Sequence, residues 1–158
     1  MKSASVKEIK EELKLKSKDE LVTLCLHLSK FKKENKELLT YLLYESSDEE
    51  GFIKEVKEEV KKQFTEINTS SIYYIKKSVR KILRNIKKHI RYSKKKETEV
   101  ELLLFYCRIM KTSFPELKTN TIFNNILDRQ VIIIRKAMVN FHEDLQFDYE
   151  EELREIFS

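Results

Sequence analysis

The chain has 158 residues, among them one glycine (Gly51), one proline (Pro115), two cysteines and no tryptophan. Charged residues make up 37% of it and apolar ones 41%, with a formal net charge of +5. A sandwich or barrel needs turn residues at about 8–12-residue intervals, and nucleotide-binding loops need clustered glycines, so both classes are excluded.

What remains is an all-α chain of helices joined by short polar turns. A chain of this size buries about 68–70% of its unfolded surface, enough for a core without disulfides or metal. One helical domain over residues 1–158 is expected. Cys25 and Cys107 each lie in an apolar run and are expected to pack as reduced, small hydrophobes.

A first helix is predicted over Val6–Leu15, with Val6, Ile9 and Leu13 on one side. Ser17-Lys18-Asp19-Glu20 is a capping box, in which a serine hydroxyl and a glutamate satisfy each other's backbone amides. It opens a second helix, about Lys18–Lys33, whose Leu21, Leu24, Cys25, Leu28 and Phe31 recur at helical spacing. A third runs near Asn35–Glu45. Ser47-Asp48-Glu49-Glu50 repeats the capping pattern and opens a fourth, about Asp48–Ile67, with Phe52, Ile53, Val56, Val60, Phe64 and Ile67 as its buried stripe.

Asn68-Thr69-Ser70-Ser71 precedes a long fifth helix, about Ile72–Ser93. The sixth, about Glu97–Thr112, carries Leu102–Cys107, the longest apolar run and too short to span a bilayer. Pro115 falls in the following connection, where its missing amide does no harm. The seventh, about Thr121–Glu143, contains the run Val131–Ile134, and a short helix over Tyr149–Phe157 follows. Helices that are apolar nearly all round lie inside, so the sixth and seventh are expected at the centre, with Ile133 as core. Short links imply antiparallel αα-hairpins, forming a compact bundle or a short array of seven to eight helices.

The fifth helix and the turn after it hold eleven Lys or Arg between positions 72 and 96 and no Asp or Glu, leaving twenty-one basic against twenty-seven acidic residues elsewhere. Ile75, Val79, Ile82, Ile86 and Ile90 form its apolar stripe. Lys77, Arg80, Lys81, Arg84, Lys87, Lys88 and Arg91 recur on the opposite side and are the candidate site residues. Like charges four apart weaken a helix by about 0.2–0.5 kcal/mol per pair. Three readings of this face stay open. It docks an acidic protein partner or, alternatively, nucleic acid through phosphate contacts; it is simply solvated; or it is neutralised by the seven acids between Glu143 and Glu155. Tyr73, Tyr74 and Tyr92 lie at the ends of this helix, with rings expected inside and hydroxyls in water.

No catalytic constellation is legible. The residues three before His27, His89 and His142 are Leu24, Ile86 and Val139, so the Glu-x-x-His pairs of a di-iron bundle are absent, as is HExxH. His142-Glu143-Asp144 is read as a helix C-terminal region. The expectation is a non-enzyme without cofactor or metal. The opening stretch, MKSASVKEIKEELK, lacks the apolar core of a signal peptide, so a cytoplasmic location is expected.

Two stretches carry a resemblance. Ser17 through Leu21, leading into Lys32 through Leu39, and Ile90 through Ser93, continuing from Glu97 to Cys107, resemble a small bacterial helical family known only as a domain of unknown function. The similarity covers about half of the chain. It implies an all-α fold and a bacterial origin, and brings no activity, cofactor or site residue.

Overall fold

Serine–glutamate pairs set the first two helices. In the computed structural model, which describes residues 1–158, α1 (Val6–Lys14) starts at Ser5 and α2 (Lys18–Phe31) at Ser17. Each serine hydroxyl accepts the N–H of a glutamate three residues on, and that carboxylate accepts the serine's own N–H at 2.7 Å. These bonds hold Glu8 and Glu20 below the ordinary carboxylate range. The start of α1 at Val6 agrees with the sequence reading, while its Ser5 capping box is an addition of the same pattern. After Lys32, a single extended residue, α3 (Lys33–Thr40) begins without a side-chain cap, and Asn35 Nδ2 donates to Leu28 O at 2.8 Å across the corner. A π turn, Tyr41–Glu45, follows.

The chain separates into two compact units, Met1–Tyr44 and Glu45–Ser158. In the first, α2 packs on α3, yet α1, α2 and α3 bury no residue between them. The stripe expected on α2 is therefore not core: Leu24, Leu28 and Phe31 are exposed, and so is Cys25. Helices of 9, 14 and 8 residues present too little surface to enclose one another.

In the second unit are α4 (Glu49–Thr65), α5 (Ile72–Ser93), α6 (Lys96–Ser113), α7 (Thr121–Met138) and α8 (Glu143–Phe157). The architecture is an all-α bundle in which α6 packs against each of the other four. Val100, Leu102, Leu103, Leu104, Tyr106, Cys107 and Met110 bury it nearly all round. A chain of rings, Phe64 to Tyr106 and to Phe114, and Phe114 to Phe123, joins α4, the end of α6 and α7 at centroid distances of 6.0–6.3 Å. Pairings along α6 fix direction. Glu101 meets Tyr149, and Arg108 meets Glu152, so α8 runs parallel to α6, whereas α5 and α7 return antiparallel across short links.

Several boundaries differ from expectation. Asp48, not Ser47, caps α4 by accepting Gly51 N–H at 3.0 Å. A Cβ on Gly51 would meet the capping Asp48 Oδ2 at 2.3 Å, so a larger residue there would require the Asp48 carboxylate to shift. Helix α7 ends at Met138 rather than Glu143, and its face is divided: Ile134 is fully buried, Ile133 half-buried, and Ile132 67% exposed. The centre is therefore α6 alone, because α7 has α6 on one side and solvent on the other. Helix α8 begins at Glu143 instead of Tyr149, and His142 caps its start, Nδ1 accepting from Asp144 N–H at 3.2 Å. That histidine begins a helix and does not close one.

Candidate docking surface

Helix α5 starts at Ser71, whose hydroxyl accepts from Tyr74 N–H, and buries Ile75, Val79, Ile82 and Ile86 against the bundle. Each such burial contributes about 1.5–3 kcal/mol. That outweighs the mutual repulsion of Lys77 and Lys81, Arg80 and Arg84, Arg84 and Lys88, and Lys87 and Arg91 along the outer face. The hydroxyl of Tyr106, at the centre of the bundle, donates to Val79 O at 3.0 Å and ties the basic helix to α6.

The turn after α5 is made without glycine. Lys94 adopts a left-handed conformation with φ 59°, its N–H donating to Ile90 O at 2.9 Å. Beneath it the Glu49 carboxylate receives the hydroxyls of Ser93 and Thr98, and Lys95 Nζ lies 3.1 Å from the other oxygen. Lys95, the N-cap residue of α6, and Lys96, its first residue, which pairs with Glu99 at 2.7 Å, therefore do not belong to the outer face of α5.

All seven candidate residues lie on one side of α5, as read from the sequence. Lys77, Arg80, Lys81, Arg84 and Arg91 are exposed, while Lys87 and Lys88 are half-buried. Among them Lys77, Arg80, Lys81, Arg84, Lys87 and Arg91 form no ion pair within the chain. Four acids of α8 pair away from α5: Glu152 with Arg108 at 2.9 Å, Glu150 with Arg135 at 3.0 Å, Glu151 with Arg154, and Asp144 with His142 at 3.5 Å. Tyr149, Leu153 and Ile156 seat that helix on the bundle. Of the tyrosines, Tyr92 is buried, but Tyr73 and Tyr74 are exposed, with ring centroids 5.5 Å apart.

A groove of about 530 Å³ lies between α5 and α7. Arg80, Leu83 and Lys87 line one wall, and Ile122, Ile126, Arg129, Ile132 and Ile133 the other. Gln130, 2% exposed, also lines it; its Nε2 donates to Ile126 O at 2.8 Å and its Oε1 has no partner. The α7 residues of this groove were missed in the sequence. Their signal was present, since Ile122, Ile126, Arg129 and Ile133 recur every three or four positions.

A hollow of about 440 Å³ beside α4 and α6 carries mixed charge: Lys57 pairs with Glu101 at 2.6 Å and Lys61 with Glu58 at 2.6 Å, and Tyr149 donates to Glu101 at 3.1 Å. Burial, then the Glu101 carboxylate, raises the Tyr149 phenol above its ordinary range. Another, of about 270 Å³, lies among Met110, Phe114, Phe123 and Leu127. No three His, Cys, Asp or Glu side chains gather as a metal site. The Cys107 thiol is fully buried and pushed up to about 12 by burial. His89 Nδ1 lies 3.0 Å from Asn85 O, with Phe52 and Tyr92 against its ring. No helix is long and apolar enough to cross a membrane.

No protein-family model, curated protein or solved structure matches the chain.

Proposed function

We propose that the chain is a non-catalytic interaction module whose α5 face docks an acidic segment of a partner protein. One observation carries this reading. Lys77, Arg80, Lys81, Arg84, Lys87 and Arg91 of α5 form no ion pair within the chain, while three of the seven acids of α8, Glu150, Glu151 and Glu152, pair with Arg135, Arg154 and Arg108. A field of one sign on a packed, rigid helix raises the local concentration of an anionic partner and speeds encounter. The absence of a catalytic role is inferred from the placement of the nucleophiles. Cys107 is sealed in the core as a thiol, and Cys25 is an exposed thiol on α2. A cytoplasmic, bacterial setting accords with two free thiols and with the resemblance carried by Ser17–Leu21 and Glu97–Cys107.

A second reading, single-stranded nucleic acid, is favoured by the exposed Tyr73 and Tyr74 at the start of the basic helix, since rings beside cations stack on bases. The two readings separate in one experiment. Fluorescence anisotropy is measured with an acidic peptide, duplex DNA and single-stranded DNA at about 50 and 200 mM salt, where counterion release makes phosphate binding fall steeply. Changing Arg80, Arg84, Lys87, Lys88 and Arg91 to Gln leaves the fold intact, because none belongs to the buried stripe. The docking role predicts that the acidic peptide binds best and is lost on that change. Tighter binding of either nucleic acid supports the second reading. No binding of any probe at either salt contradicts both.

A further inference from the structure

We infer that the groove between α5 and α7 seats an amphipathic helix of a partner protein, apolar on one face and bearing Asp or Glu along both flanks. The inference rests on the docking role proposed for α5 and narrows it to a place and a shape.

The cross-section of the groove sets the chemistry of its occupant. Leu83, Ile126 and Ile133 make the base of the groove apolar apart from the buried Gln130 amide, and Ile132 and Ile122 stand in solvent at 67% and 37% exposure. Arg80 and Lys87 rise on one wall and Arg129 on the other, all three without ion pairs, and no acid lines the groove. A mainly apolar base between two cationic walls is matched by an apolar face between two acidic flanks. A purely apolar helix would desolvate three unpaired cations. A phosphate backbone would answer the cations and leave Ile122 and Ile132 against charge.

Length gives the secondary structure. From Ile122 to Ile133 the α7 wall rises about 16 Å, or roughly three helical turns. Its groove residues recur at three- and four-residue spacing, which is the spacing of anchors on a helix laid into a helical groove. On α5, Arg80, Leu83 and Lys87 keep the same spacing over about two turns. Both walls rest on α6, so the groove is fixed before binding.

The test uses the full chain and two labelled peptides of about fourteen residues, some 21 Å as helix. One carries Leu and Ile on a single helical face with Glu on both flanks; the other has the same composition, shuffled so that no apolar face exists. The inference predicts that at about 150 mM salt, where exposed charges more than about 8 Å apart are screened, the amphipathic peptide binds at least about tenfold more tightly, a difference of about 1.4 kcal/mol. Ile132→Lys is the sharp variant, because it adds a positive charge while removing an exposed anchor. Loss of about tenfold in affinity supports the groove, whereas unchanged or stronger binding overturns it and leaves the docking role as electrostatic alone. Ile122→Asn gives a second readout in the same direction, and circular dichroism verifies both folds. Arg84→Gln with Arg91→Gln, outside the groove, distinguishes the two claims. If these cost as much as Ile132→Lys, the face docks its partner without the groove and the inference falls. If neither peptide binds, or duplex DNA outcompetes both, the inference and the docking role fall together.

Discussion

The Tyr106 hydroxyl and the Val79 carbonyl meet 3.0 Å apart in the fully buried seam between α6 and α5. Val79 O also accepts its own helix's N–H, so removing the phenol strands no buried acceptor. Tyr106→Phe is therefore expected to cost about 1 kcal/mol, the net worth of one hydrogen bond. Chemical denaturation checks this, and peptide binding should be unchanged because the α5 face keeps its side chains. A loss above about 3 kcal/mol would mean that the bond holds the helix in place.

Ile132 and Ile134 are two positions apart on α7 with opposite fates, 67% exposed and fully buried. Ile134→Ala should cost about 2–5 kcal/mol as a core cavity, and Ile132→Ala less than about 0.5 kcal/mol. Equal losses would contradict the placement of α7 at the edge of the bundle.

That contrast shows how far the sequence reaches. The helices, the Ser17 box, the α4 and α5 stripes and the basic face are legible because each depends on residues within a few turns. The run Val131–Ile134 is apolar on every side, so periodicity does not say which member faces α6; only packing does. Ser47 and Asp48 offer overlapping caps, and the choice is made by which side chain reaches Gly51 N–H. The acidic stretch Glu143–Asp148 lies in the first two turns of α8, where carboxylates favour the helix start. Helix α2 carries a proper stripe yet leaves it exposed, since periodicity announces a buried face without supplying a neighbour. The groove is a tertiary product of two helices resting on a third.

Lys94 holds φ 59° in the α5–α6 turn, a conformation that costs a side-chain-bearing residue about 1–2 kcal/mol. Lys94→Gly removes that strain and adds freedom to the unfolded chain, so the net gain is about 0.5–1 kcal/mol. A raised midpoint in thermal unfolding checks it; a lowered one would show that the lysine side chain supports the turn.

Cys25 is exposed and Cys107 fully buried, with its thiol pushed up to about 12 by burial. A thiol reagent should titrate one cysteine in the folded protein and the second only on unfolding. The sign on the alkaline side follows. Above about pH 9 the unfolded Cys107 ionises and the buried one does not, so stability falls as pH rises toward about 12, by up to about 1.4 kcal/mol per unit. Tyr149, raised by burial and by Glu101, adds to the loss above about pH 10. Cys107→Ala should flatten the slope between about pH 9 and 10. An unchanged slope there would contradict the assignment.

Docking of an acidic segment on α5 is read out by an amide chemical-shift map during titration with the acidic amphipathic peptide. Perturbation is predicted along Arg80, Leu83, Lys87, Ile122, Arg129 and Ile132, fading on changing the α5 cations to Gln. Shifts confined to α8 or to residues 1–44, with α5 silent, would contradict it.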